Sequence, residues 1–152
     1  MARIILLDSG PLGLAAHRPS ITEVRQCLAW LATLERSGAM VVVPEIADYE
    51  VRRELIRAGI VSGIGRLDRL KARFFYLPIS TSAMLQAASF WADVRQRGIP
   101  TASPDALDAD CVLAGMAASA FDPRDTVTVA TNNAIHLARF PGIDARDWPT
   151  IT

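Results

Sequence analysis

The sequence predicts a three-layer α/β/α sandwich on a mostly parallel central sheet. Three observations carry that expectation. The candidate strands are short, apolar and rich in β-branched residues; helical patterns, not hairpin turns, separate them; and the 152-residue chain is 51% hydrophobic and 21% charged, which is material for one thick two-sided core. One domain is expected over residues 1–144, with a simple tail over 145–152.

Arg3 to Leu7 reads as a buried first strand, ended by a tight loop at Asp8-Ser9-Gly10-Pro11 that leaves Asp8 at the strand's carboxyl end. Val24, Leu28, Leu31 and Leu34 recur at helical spacing within Ile21 to Ser37, and Gly38 closes that helix. Met40 to Val43 is the second strand. Pro44 opens a helix on which Ala47, Val51, Leu55 and Ala58 form the core-facing stripe, with Gly59 near its end. A short helix over Ile64 to Ala72 leads to a strand near Phe74 to Leu77. Thr81 or Ser82 caps a long helix that Gly98 and Pro100 stop, and Ser103-Pro104 opens an alanine-rich one through Phe121. Val127 to Ala130 is a strand, Asn133 to Phe140 a helix, and a last short strand lies near Trp148.

Composition narrows the function. No apolar run reaches the roughly 18 to 20 residues of a membrane helix, and the N-terminus has no apolar core of a secretory leader, so no membrane and a cytoplasmic location are expected. Cys27 and Cys111 are too few and too far apart for a disulfide framework or a zinc pattern. Sixteen basic residues balance sixteen acidic ones, yet the charge is segregated. Arg52 to Arg73 carries seven cations against Glu54 and Asp68, a local +5, whereas Asp105 to Asp125 is acidic with only Arg124 in opposition. Lys71 is the sole lysine, so the cations are guanidiniums, suited to paired hydrogen bonds with phosphate; a solvated helix face would look the same.

Chemistry is to be sought among the acids. In open parallel sheets ligands collect beyond the carboxyl ends of the strands, where Asp8 and Thr131-Asn132-Asn133 fall. Asp8 follows four aliphatics and needs a helix N-terminus, an arginine or a metal; capping the next helix and ligation are both open to it. Glu50 lies off its helix's apolar stripe beside Arg53 and Arg57, where an exposed ion pair is the ordinary reading. Asp110 shares a helical face with Ala106, Leu113, Ala114, Ala117 and Phe121, so its charge calls for compensation; Asp108 falls on nearly the opposite side. His17 and His136 are isolated and suit surface or packing roles.

Taken in order, these blocks resemble the PIN-domain family, most closely the VapC-like ribonuclease toxins of toxin–antitoxin modules. Ile4-Ile5-Leu6-Leu7-Asp8-Ser9-Gly10 looks like the opening strand and first acid. Val43 to Arg53 looks like the second block, with its acid at Glu50 and with Glu45 and Asp48 as bystanders; Asp110-Cys111-Val112-Leu113-Ala114 resembles the third. Val127 to Asn133 resembles the strand ending in Thr, any residue, then Asp or Asn, except that Asn133 offers a neutral oxygen where many relatives have a carboxylate.

The resemblance implies a Mg²⁺-dependent endoribonuclease, with Mn²⁺ able to substitute, since hard oxygen donors of this kind suit such ions. It implies Asp8 and Asp110 as principal ligands, Glu50 as holder of water at the metal or as base, and Asn133 with Thr131 orienting the site. Arg52, Arg53, Arg57, Arg66, Arg69 and Arg73 would grip the RNA backbone. A small antitoxin and a second copy of the chain are the implied partners. The rival expectation, motivated by Asn133, is a PIN-like module that binds RNA or protein without cutting. A phospho-acceptor role for Asp8 is a third reading, which lacks the acidic pair and strand-end lysine it would need.

Overall fold

Two faces of one sheet emerge from simple alternation. In the computed structural model, which describes residues 1–99 and 104–152 and side chains from residue 106 onward in the second stretch, β1 (Arg3–Leu7) sends Ile5 and Leu7 to one core and Ile4 and Leu6 to the other. In β2 (Met40–Pro44), Val41 and Val43 likewise part from Val42. On one face lie α1 (Ser9–Ala15), α2 (Thr22–Arg36), α3 (Glu45–Ala58) and α4 (Val61–Arg73). On the other lie α5 (Thr81–Gln96), α6 (Pro104–Ser119) and α7 (Ala134–Ala138). The result is the three-layer α/β/α sandwich that the alternation of short strands and helices predicts.

Among the described residues the strands pair in the order β3-β2-β1-β4-β5, all parallel, with β3 at Phe75–Leu77, β4 at Thr126–Thr131 and β5 at Asp144–Asp147. The chain builds outward from β1 in one direction through β2 and β3, then returns to add β4 and β5 on its other side. The order therefore reverses between β1 and β4, and at such a switch point the loops part and leave a crevice at the carboxyl edge.

Four expectations need correction. Asp8 to Pro11 is not a tight loop: α1 begins at Ser9, because the Asp8 carboxylate accepts a hydrogen bond from the Ser9 N–H and Pro11 falls in the first turn, where no N–H is needed. Residues 145–152 are not a simple tail, and the last short strand expected near Trp148 is present as β5, Asp144–Asp147, which ends just before it. Trp148–Thr150 then turns as a 3-10 helix that buries Trp148 and Ile151 against α2. The α3 stripe is half right: Ala47 and Val51 are buried, Leu55 is half-buried, and Ala58 is exposed. Pro44 caps α3 and Gly59 ends it at φ +68°, a left-handed position that favours glycine. Ser80, not Thr81 or Ser82, caps α5 through Ala83 N–H. The expected stop at Pro100 and start at Ser103 lie outside the described residues.

The α5–α6 contact depends on Gly115. A Cβ there would stand 2.3 Å from the Ala83 carbonyl oxygen and 3.0 Å from the Ala87 nitrogen, both backbone atoms that cannot swing aside. Gly115→Ala is expected to cost about 2 kcal/mol net in urea unfolding, overpacking outweighing the roughly 1 kcal/mol by which alanine favours a helix. An unchanged midpoint would mean that the two helices do not approach this closely.

Candidate functional site

The crevice between β1 and β4 is where the acids meet. Asp8 leaves the end of β1 with both carboxylate oxygens engaged: one accepts from the Ser9 N–H at 2.7 Å, the other from the Thr131 hydroxyl at 2.7 Å. Thr131, fully buried at the end of β4, in turn accepts from the Asn133 N–H at 3.0 Å. The β1–β4 pairing continues into this turn through Asp8 N–H to the Ala130 carbonyl at 2.9 Å, so the carboxylate is fixed by the sheet itself. Asp8 thus both caps α1 and faces the crevice; the two readings open to it are not exclusive.

Glu50 and Asp110 arrive from opposite layers. Helices α3 and α6 touch across the sheet's edge, and each presents its acid to the crevice. Burial, then the negative charge of Asp8, pushes Glu50 up to about 7; Arg53 pulls the other way, and Asp110 adds to the rise. Burial and Asp8 likewise push Asp110 up to about 6 against the nearby Arg139 guanidinium. Asp8 is also raised, by burial, with its bonds to Thr131 and Ser9 opposing. Three carboxyls from β1, α3 and α6 therefore share one field. Among the described residues Glu50 forms no close ion pair: Arg57 pairs with Glu54 at 2.9 Å, and Arg53, which attracts Glu50 from a distance, lies over the Tyr49 ring.

These donors fit a small divalent cation in kind and charge. All are hard oxygens, and their mutual repulsion is relieved by a cation. Among the described residues no three acidic, histidine or cysteine side chains are gathered into a finished ligand set. Mg²⁺ does not require one, since it commonly takes one or two carboxylates and keeps several waters.

Other expected site residues fall elsewhere. The Asn133 amide is exposed and meets His136 Nδ1 at 2.8 Å, so Asn133 reaches the site through its backbone N–H. Asn132, the middle residue of that block, lies over Gly10, where an added Cβ would stand 2.5 Å from its Nδ2. Asp108 is exposed on a neighbouring groove with Tyr49 and Val112, which shares Arg53 with the groove at Glu50. Asp48 and Glu45 are structural: buried Asp48 holds Arg52 and Lys71 at 3.0 and 3.1 Å, and Glu45 accepts from the Tyr76 hydroxyl and the Ile79 N–H.

The expected basic grip divides. Arg52 is a brace between Asp48 and Asp68, the latter at 2.7 Å, and is not free to hold phosphate. Arg53 and Arg57 line an open groove of about 440 Å³ that begins at Ser9 and Glu50. It adjoins, through Gly13, Leu55 and Ile60, a second groove holding His17, Arg18 and Arg66, and then a third with Arg69 and Arg73. Arg66 is anchored by donating to the Ala16 carbonyl at 2.7 Å, and Arg73 pairs with Glu35.

Comparison with solved structures identifies the architecture. A chain of VapBC2 from Rickettsia felis, solved bound to a promoter DNA fragment, superposes with TM-score 0.69 at 16% identity over 95% of this chain and 98% of that one. A chain from DNA-bound VapBC of Salmonella typhimurium gives 0.65 at 21% identity over 97% and 99%. A chain from FitAB bound to the IR36 DNA fragment gives 0.68 at 18% identity over 97% of both chains. The fold is PIN-like. No family model matches the chain, and no curated protein is similar enough in sequence to match. At these identities the likeness is one of fold, and the PIN-like chain must be read for function from its own side chains.

The raised acids give the metal-free PIN-like chain a signed pH dependence. A carboxyl whose folded pKa exceeds its unfolded value keeps its proton longer in the native state, so its contribution to stability is complete below the unfolded value and is lost as pH rises to the folded one. For Glu50 that window runs from the ordinary glutamate value of 4.5 to about 7. Glu50→Gln removes the ionisation. Its Tm minus that of wild type should be flat below the window, grow in the variant's favour through it and level off above it, in melts run in EDTA. A gap that shrinks with rising pH would mean that Glu50 is not held in an anionic, partly buried field.

Proposed function

We propose that this chain is a Mg²⁺-dependent endoribonuclease, with Mn²⁺ able to replace Mg²⁺, and that it is the toxin of a toxin–antitoxin pair. The observation that carries the reading is the coupling of Asp8, Glu50 and Asp110, three acids from three elements, at the sheet's switch point.

Asp8 and Asp110 would hold the ion. When bound, such an ion supplies Lewis-acid polarisation of a phosphodiester and neutralisation of charge on the leaving oxygen. Thr131 and the Ser9 N–H keep the Asp8 carboxylate in one orientation, so little reorganisation is needed as substrate enters. Glu50 would take the proton of the attacking water at its carboxylate, the bound cation favouring its ionised form against the burial and the neighbouring acids that raise it in the metal-free protein. Arg53 and Arg57 meet the backbone beside the acids, and Arg66, Arg69 and Arg73 extend the basic track along the adjoining grooves.

The fold neighbours come from VapBC and FitAB assemblies, which supports a small antitoxin as partner here; a homodimer and a cytoplasmic location belong to the same reading. No helix among the described residues is long and apolar enough to cross a membrane. The test is cleavage of a fluorogenic single-stranded RNA library with Mg²⁺ or Mn²⁺, expected to cease in EDTA. A second reading, a PIN-like module that binds RNA or protein without cutting, is favoured by the Asn133 amide turning to His136. RNA binding that persists in EDTA, with no cleavage under any metal, would establish it.

A further inference from the structure

Arg139, just past α7, brings a cation to the acids that helical periodicity alone does not reveal. Its side chain is 8% exposed, and its Nη2 stands 3.6 Å from Oδ2 of Asp110, itself 20% exposed. The guanidinium carbon lies 5.4 Å from the centroid of the Phe140 ring, which packs on Phe90 of α5. Arg97, from the end of α5, donates to the Arg139 carbonyl at 2.8 Å. Backbone and aromatic contacts thus fix the stem of a charged group in a place where burial is costly unless an anion answers it.

The pairing is loose as well as buried. Charge-assisted N–H···O bonds run near 2.7 to 2.9 Å, so the 3.6 Å contact is attraction across a short gap that leaves the Asp110 oxygen without a tight bond to Arg139. We propose that Arg139 is the resident counter-cation of the acid pocket, neutralising Asp110 while no divalent ion is bound and yielding Asp110 when one arrives, so that it sets the affinity of the site. This rests on the reading of the three acids as a divalent-cation site.

The physical argument is one of competing charges. Without an ion, the carboxylates of Asp8, Glu50 and Asp110 repel one another, and Arg139 offsets part of that repulsion from inside the fold. With an ion present, the same positive charge opposes it at close range in a partly dry environment, where screening by salt is weak. Affinity for metal is thereby traded for a pocket that holds its shape when empty.

Arg139→Gln keeps a hydrogen-bond donor and removes the charge; Arg139→Lys keeps the charge. In Mn²⁺ titrations followed by electron paramagnetic resonance, the Gln variant should bind about tenfold tighter than wild type, while its metal-free Tm falls; the Lys variant should stay within about twofold. Wild-type protein offers a check that needs no substitution: Mg²⁺ should shift the Arg139 Nε–H resonance and speed its hydrogen exchange. Equal or weaker Mn²⁺ binding by the Gln variant, or an Arg139 resonance that ignores saturating Mg²⁺, overturns the proposal while leaving the metal site standing. Wild type that binds no Mn²⁺ removes the metal reading, and this proposal with it.

Discussion

Asp8→Asn is expected to abolish the Mg²⁺-dependent rise in Tm and to reduce RNA cleavage by about a hundredfold or more, given that even residues one shell removed from a metal cost 10 to 100-fold when changed. The metal-free protein should melt at the same temperature or higher. Asparagine caps a helix as well as aspartate does, so the bond from the Ser9 N–H survives. The Thr131 oxygen, which already accepts from Asn133, has a second lone pair for an asparagine amide. What disappears is a buried negative charge facing Glu50 and Asp110. Calorimetry with and without Mg²⁺, beside the cleavage assay, separates the outcomes. A variant that melts early in EDTA would make Asp8 a structural residue, and one that still cleaves would displace it from the reaction.

Trp148→Ala should be the most damaging substitution outside the site, at about 3 to 4 kcal/mol, or roughly 10 °C in Tm. Trp148 is 7% exposed and its ring lies 5.2 Å from that of Trp30 on α2. Trp30 donates its indole N–H to the Ile151 carbonyl at 2.9 Å, so the final turn, the indole pair and α2 lock as one unit. Arg146→Ala on neighbouring β5, which removes an exposed pair with Asp144, should change stability by less than about 0.5 kcal/mol. Urea unfolding of the two variants decides it: if Trp148→Ala is as mild as Arg146→Ala, the last residues do not belong to the core.

Strands β1, β2 and β4 were readable because their apolar residues fill both faces and such runs have few other ways to be buried; the edge strand β3, Phe75-Tyr76-Leu77, showed through its aromatic residues. β5 was placed only roughly, near Trp148, because its residues, Asp-Ala-Arg-Asp, are polar and belong to an edge that pairs on one side only, with β4; the buried Trp148 follows it directly. Helix α1 was hidden by Gly10, Pro11 and Gly13, which argue for a turn until the Asp8 cap and the packing of Leu12 and Ala15 are known. Arg52 was misjudged for a related reason: charge counted along a chain cannot tell an arginine facing solvent from one spent on Asp48 and Asp68.

The candidate acids show the same division. Asp110 was detectable because a carboxylate on an apolar helical face contradicts its surroundings, whereas Glu50 beside two arginines looked ordinary. The linear order of residues by itself determined the layered parallel architecture, the position of Asp8 at a strand's carboxyl end and the kind of oxygen donors available, since these follow from periodicity and residue chemistry. Only the tertiary structure decided that the sheet order reverses between β1 and β4, that α3 and α6 meet over that gap, and that Arg139 stands behind Asp110. Repulsion and its relief depend on distances through space, and those are set by strand order and helix packing rather than by spacing along the chain.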